Sequence, residues 1–453
     1  MKLQNRDLTS IIDNEAKEFA LYTVEERAIP NMMDGFKPVQ RFIIYSALQK
    51  ARGDKLKFHK LAGLSGSVAE LGYHHGEGSA AEAGAKMANT WNNNIPFLDG
   101  RGAFGSRLIQ KAGAARYVFC RISQNFFDLY KDIEICPVHP DKEHIPPKHY
   151  LPIIPTVLLN GVRGIATGYS TNILPHSLKS VVECTKLAVD GKLDKEPEVS
   201  FPQFTGDIVP SENGVELIGK YELKGKTQLT ITEIPYKWER DSYIEKVLDK
   251  LQDDGKIEYD DDSGKDAKTG EVRFTFFVKL KKEFGLITDD VEAQRQQILK
   301  EFGLVQKAPQ FFTVIDENGH IKDSSDFEKS SDLIKHFVAV RKKFYDVRIE
   351  HKIKEYKDKY DLALAKATFI SMVLKDELKI SGRKKADVIK DIEAVDRLQG
   401  HSEKLISMNL YHITKEEAKK LVDQAKELKK EYEYWKSTTS EVEYKKDLDN
   451  IQL

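Results

Sequence analysis

One tyrosine of this chain sits where covalent chemistry is conceivable. Tyr117 follows Arg116 directly and lies in DGRGAFGSRLIQKAGAARYVFCR, residues 99–121. Over residues 101–131 the cations are Arg101, Arg107, Lys111, Arg116, Arg121 and Lys131, and the only acid is Asp128. The whole chain carries a formal charge of −1, so this excess is local. A phenol in a basic loop can attack a phosphodiester, because cations stabilise both the phenolate and the charge that develops on the phosphoryl oxygens. The other reading is a packing residue among 18 tyrosines, and the local pattern does not choose.

Two further groups precede it. In ERAIPNMMDGFKPVQRF, Pro30, Asp34-Gly35 and Pro38 predict a loop entering a helix near Val39. Arg27, Lys37 and Arg41 project from it, as solvated-turn residues or as phosphate contacts. His74 and His75 lie between glycines in LGYHHGEGSA, with a helix expected from about Ser79. No convincing metal-ligand spacing accompanies them. A general-base or phosphate-contact role suits them better, beside a plain structural one.

Three tempting patterns carry nothing. Gly100–Gly105 matches GxGxxG, but WNNNIPFLD before it is not a buried strand and no acid follows at the required distance. These glycines are read as a tight turn ahead of Tyr117. Between Gly219 and Gly225 stand five residues where a phosphate loop has four, and a strand pattern follows, so no ATP site is expected. Asp260-Asp261-Asp262, followed by Ser263-Gly264, reads as a solvated hairpin.

The elements that must position these residues follow from periodicity. Residues 8–25 predict a helix through Leu8, Ile11, Ile12, Ala16, Phe19, Ala20 and Tyr22. Residues 145–178 predict strand–turn–strand, with Thr156–Leu159 as a buried run, followed by a helix over Leu178–Gly191. TQLTITEIP and EVRFTFFVKL alternate as antiparallel strands, with an amphipathic helix at Asp241–Asp253 between them. After Pro309 there is no proline. Residues 331–376 predict one long helix through Leu333, Phe337, Val340, Phe344 and Val347, with a stutter before Ile349. A second long helix carries Ala418, Leu421, Ala425, Leu428, Tyr432 and Trp435, and residues 377–411 fold back between the two. At 453 residues, two or three domains are expected. The near-zero charge excludes a uniformly basic nucleic-acid coat. Three cysteines without metal spacing, an acid-bearing N-terminus and no apolar run of membrane length point to a cytoplasmic protein with no membrane partner.

Taken together, the chain resembles the breakage–reunion subunit of type IIA DNA topoisomerases. AIPNMMDGFKPVQR, YHHGE, DGRGAFGSR with AARY, and GIATGYSTNILPH resemble four family motifs and occur in family order. The resemblance implies that Tyr117 forms a transient 5′-phosphotyrosyl link, with Arg116 holding the scissile phosphate and His75 activating the tyrosine or ordering water. It implies DNA contacts at Arg27, Lys37, Arg41, His74, Ser79 and Arg107, and a DNA-bending wedge at Ile173. Phe42 stands where bacterial relatives have a cation, which puts that contact in doubt. The β-propeller of gyrase subunits has no counterpart here, so relaxation or decatenation is expected rather than wrapping-driven supercoiling.

The expected fold is α+β in three regions: a winged-helix-type DNA-binding and cleavage domain over 1–148, a mixed shoulder (tower) domain over 149–328, and an antiparallel coiled-coil arm with a dimer gate over 329–453. The expected partners are double-stranded DNA, a second copy of the chain, and one or more ATPase and metal-binding subunits that supply the ATP site and the Mg²⁺ ligands. Two rivals remain: a DNA-architectural protein with a dimerising arm, which gives Tyr117 no purpose, and a tyrosine nuclease of the meiotic-recombination type, against which the wedge region and the arm argue.

Overall fold

The computed structural model describes residues 7–266 and 271–452. The chain divides into two compact units. One comprises the chain to Val340 with the stretch from Leu448 on; the other is Arg341–Asp447. Every strand ladder between named strands is antiparallel.

In the first unit a helical stretch runs over residues 8–28, alternating α and π turns. The helix lies where the sequence predicts one, but its π turns depart from the expected 3.6-residue period, and Leu8, Ile12 and Phe19 are exposed. Helix α1 (Pro38–Ala51) begins with proline at its first position, and Lys37 N donates to Gln40 Oε1 at 2.9 Å, reaching back across the first turn. Helices α2 (Leu61–Ser67) and α3 (Glu77–Ala88) follow. Small residues let them approach: a Cβ on Gly84 would lie 2.7 Å from Leu61 Cδ1. Strands β1 (His59–Lys60), β3 (Phe119–Ile122) and β2 (Leu98–Arg101) form a three-stranded sheet in that spatial order. No helix follows the GxGxxG glycines, in keeping with the turn reading.

Thr156–Leu159 is buried, but residues Val157–Asn160 form one helical turn rather than a strand. The hairpin of β4 (Val162–Ile165) and β5 (Ser170–Ile173) comes next, then a helix over Leu178–Val189 capped by Ser177. A four-stranded sheet orders Ile257–Asp261, Phe276–Leu280, Gln228–Glu233 and Lys220–Lys224. Its alternating apolar residues, among them Leu229, Ile231, Phe276 and Val278, meet Tyr243, Leu248, Ile298 and Phe302 from the helices in one core. The Gly219–Gly225 stretch is part of this strand pattern, and Asp262 pairs with Arg273 at 3.0 Å.

A helix of 45 residues, Ser330–Leu374, carries the chain into the second unit. Ala367 and Ile370 pack with Leu421 of the helix Lys415–Ser437. Near the other end Tyr345 stacks on Tyr444 at 4.6 Å and donates to Asp447 at 2.8 Å. Residues late in the first helix thus meet residues early in the return segment, so the two run antiparallel. Val347, expected on the apolar seam, is 43% exposed; Tyr345 is buried instead. Between the helices, Leu378, Val388, Ile392, Leu398 and Leu405 close a small core with Ala365 and Phe369. Among the described residues no helix is long and apolar enough to cross a membrane.

Candidate nucleic-acid cleavage site

Tyr117 lies in the turn just before β3, its N–H donating to Ala114 O at 2.9 Å. It is 68% exposed, whereas Tyr130, Tyr150 and Tyr243 are at most 2% exposed. The packing reading therefore fails for this tyrosine. The Arg116 guanidinium carbon stands 4.9 Å from the centre of its ring, a cation held beside the phenol. The glycines upstream do what the turn reading asked. Gly105 has a φ of +79°, and a Cβ there would lie 2.6 Å from Gln110 O, so the loop closes tightly on itself. At the loop's base Arg121 pairs with Asp99 across β2 and β3 at 2.9 Å, which fixes the strands rather than meeting a ligand.

A separate groove of about 790 Å³ gathers Arg27, Lys37, His75, Ser79, Lys86 and Arg163. Three segments distant in sequence build it. The loop over residues 29–37 and β4 are joined where Lys37 Nζ donates to Arg163 O at 2.7 Å. Helix α3 presents Ser79, Glu82 and Lys86 to the groove, one per turn of the face opposite its buried alanines. Burial, and then the charge of Lys86, pull the Lys37 pKa below its ordinary value, so an anion in the groove would relieve both. His75 Nε2 lies 3.0 Å from the Tyr22 hydroxyl, and its ring meets Tyr73 edge-on at 5.2 Å. His74 is exposed beside it. Tyr117 and Arg116 do not line this groove.

Burial sets three of the expected site residues apart from the rest. Arg41 is 5% exposed and holds Asp34 through both carboxylate oxygens, Nε to Oδ2 at 2.7 Å and Nη2 to Oδ1 at 3.0 Å. Burial lowers its pKa, and Asp34, by charge and hydrogen bonding, more than offsets this. Nη2 also donates to Phe36 O at 3.3 Å, so Nε and Nη2 both hold the segment from Asp34 to Phe36. Arg107 is 3% exposed and pairs with Glu233 at 2.8 Å, inside the protein. Ile173 is 2% exposed at the base of the β4–β5 hairpin, paired in register with Val162. Ile165, which the sequence does not single out, is 73% exposed and stands next to the turn of the same hairpin.

Among the described residues no group of three or more His, Cys, Asp or Glu could hold a metal ion. The residues around Tyr117 are basic and do not fit a cation, so no step at this site is routed through one within this chain.

The family model that describes the DNA gyrase/topoisomerase IV A-subunits matches residues 27–451. The chain belongs to this topoisomerase family. It is 52% identical over 452 residues to the DNA topoisomerase medium subunit of Enterobacteria phage T4, covering 100% of both chains. It is 28% identical over 519 residues to the DNA topoisomerase 2 of Plasmodium falciparum, covering 99% of this chain and 35% of that one. The fold matches the crystal structure of the Plasmodium falciparum topoisomerase II DNA-binding, cleavage and re-ligation domain with a TM-score of 0.85 at 27% identity, over 97% of this chain and 63% of that one. The chain thus spans the whole of the phage relative and about a third of the Plasmodium protein. It is a type II topoisomerase subunit.

Proposed function

We propose that this subunit cleaves and reseals duplex DNA within an ATP-dependent type II topoisomerase. The Tyr117 oxygen attacks phosphorus, the bond from phosphorus to the 3′-oxygen breaks, and a 5′-phosphotyrosyl link and a free 3′-hydroxyl result. The phenol gives up its proton and the 3′-oxygen gains one. Reversal reseals the strand, because one phosphoester replaces another. Arg116 holds the phosphate and its charge. The observation that carries this reading is the exposure of Tyr117 beside Arg116 on a tight, glycine-turned loop.

Arg27, Lys37 and Ser79 contact the DNA backbone, with Lys86 and Arg163 added to them by the groove they share and His74 beside it, and His75 in that groove activates the tyrosine or orders water. Arg41 and Arg107 take no part in that contact. Ile165 takes over from Ile173 as the wedge that enters a base step and bends the duplex, at a cost of a few kcal/mol per unstacked step. Tyr117 and Arg116 lie outside the lining of the cationic groove, which favours a homodimer in which two copies cut the two strands. The first unit then comprises a winged-helix-type region to about residue 148 and a shoulder (tower) region to about 328; the coiled-coil arm and dimer gate follow. Mg²⁺ ligands and the ATP site belong to partner subunits, and the complex works in the cytoplasm of the host cell. Passage of a second duplex through the break gives relaxation and decatenation.

The test reconstitutes the subunit with its ATPase partner, Mg²⁺ and supercoiled DNA, then adds denaturant. Protein is expected on DNA 5′ ends, and Tyr117→Phe abolishes it. Linkage that persists in Tyr117→Phe moves the nucleophile elsewhere. DNA binding without any covalent complex favours the architectural rival.

A further inference from the structure

The loop that carries Tyr117 is anchored far from the sheet it interrupts. Between β2 and β3 the chain sends Arg107 and Leu108 into the protein beside the four-stranded sheet, where Leu108 packs with Leu229, Ile231 and Phe276. Gln110 N donates to Glu239 Oε2 at 2.9 Å, and Arg240 N donates to Leu108 O at 3.3 Å. Arg107 is the centre of this anchor. Its Nη1 donates to Glu233 Oε1 at 2.8 Å and to Gln203 O at 3.2 Å, and its Nη2 donates to Ile234 O at 2.9 Å. The other Glu233 oxygen accepts from Thr205 N and Oγ1 at 3.0 and 2.8 Å. The rings of Phe204, Tyr236 and Phe274 surround the guanidinium, their centres 5.0–5.5 Å from its carbon.

Two of those rings continue outward. Phe204 and Tyr236 pack, with Phe201, on the cluster that contains Leu174, the residue that leaves β5. A contiguous set of packed groups therefore runs from the β4–β5 hairpin through the aromatic cage to Arg107, and along residues 108–110 to the tyrosine loop.

We propose that Arg107 is a positioning residue for Tyr117, setting the loop against the shoulder so that seating of the hairpin on bent DNA aligns the phenol with the scissile phosphate. This rests on the reading of Tyr117 as nucleophile and of the hairpin as wedge. The chemistry of arginine suits the task. A planar fork of donors fixes direction as well as distance, whereas a lysine keeps the charge opposite Glu233 but has no fork to span Glu233 and Ile234 together. A reacting group misplaced by about 1 Å loses on the order of 100-fold in rate.

The test uses the full chain with its ATPase and metal-bearing partner, a duplex oligonucleotide carrying end labels, and Mg²⁺. The variants are Arg107→Lys and the double variant Arg107→Met, Glu233→Gln, which leaves no buried carboxylate without its counter-charge. Four quantities are read: DNA affinity, bending by energy transfer, yield of covalent complex with its religation rate, and urea unfolding. Affinity and bending are expected to stay within about twofold of the parent, while yield and religation rate fall on the order of tenfold in Arg107→Lys and 100-fold in the double variant. A double variant that cleaves like the parent overturns the proposal. So does a loss of yield that only tracks loss of folded protein or of DNA affinity, since that is what a purely structural anchor would give. A parent chain that forms no covalent complex overturns the nucleophile reading beneath it, and the proposal with it.

Discussion

Arg41→Ala separates two roles that the sequence leaves open, because a DNA contact and a buried clamp fail differently. Asp34 is fully buried, and its carboxylate accepts four hydrogen bonds: two from Arg41, one from Phe36 N and one from Tyr150 N, both at 3.0 Å. Its carbonyl accepts from Tyr130 and Thr156 at 2.8 and 2.9 Å. Removing Arg41 leaves the two backbone donors but no counter-charge in a site closed to water. Breaking a buried pair from one side costs about 3–5 kcal/mol. The double variant Asp34→Asn, Arg41→Met removes both charges and should recover part of that loss, though the carbonyl contacts remain to be held. A phosphate contact behaves otherwise: its loss barely changes stability but lowers the salt dependence of DNA affinity by about 0.9 in log–log slope. Urea unfolding, with DNA affinity titrated over salt, reads both quantities. Arg41→Ala is expected to lose stability and keep the slope, and Arg27→Ala to do the reverse. An Arg41→Ala chain that unfolds like the parent and loses about 0.9 from the slope refutes the clamp.

The two isoleucines of the hairpin make a matched pair of variants. Ile165→Ala should fold normally but bend DNA less by energy transfer, whereas Ile173→Ala should lose about 2–5 kcal/mol in urea by opening a cavity. Acid sensitivity should come from buried imidazoles. Burial, the largest cause, pushes His149 and His176 down to about 4 from the ordinary 6.5. Between those values the unfolded chain binds protons that the folded chain does not, so stability is full above about pH 6.5 and falls as pH drops towards 4, by about 3 kcal/mol per group. Urea midpoints measured over that range check this, and His176→Gln should flatten the slope; a slope unchanged in that variant removes His176 from the account. Lys86→Ala should weaken binding to DNA of any sequence and reduce its salt slope by about 0.9, read by the same salt titration.

Much of this was legible because pattern and structure share a cause. The alternation in TQLTITEIP gives a strand with one buried face, and the spacing of Leu333, Phe337 and Val340 gives a buried helix stripe. The basic, glycine-turned loop around Tyr117 was legible because its charge excess and glycines are local. Burial of a charged side chain is not local. Arg41 and Arg107 look like any loop cation until their partners are known. Asp34 stands seven residues from Arg41, but Glu233 lies 126 residues from Arg107, and no spacing rule links that pair.

The proposed move of the wedge from Ile173 to Ile165 is of a different kind, since the information for it was present in the sequence. In GIATGYSTNI the paired stretches are Val162–Ile165 and Ser170–Ile173, joined by Ala166, Thr167, Gly168 and Tyr169. Gly168, at φ +83°, makes the turn. Any hairpin centred there must put Ile165 beside the turn and Ile173 at the far end, against Val162. The end near the turn is held to the body of the protein: a Cβ on Gly164 would lie 2.2 Å from Ala28 O, so the strand passes directly over the end of the 8–28 helical stretch at that point. Only glycine permits that approach, and it leaves Ile165, one residue further out, as the large apolar side chain that the body cannot cover. The glycine that seats the hairpin and the isoleucine that projects from it are therefore one device. Gly164→Ala should disturb bending as much as Ile165→Ala does, by lifting the strand rather than shortening the wedge. Energy-transfer bending on both variants checks this, and a Gly164→Ala chain that bends DNA like the parent would separate the two residues again.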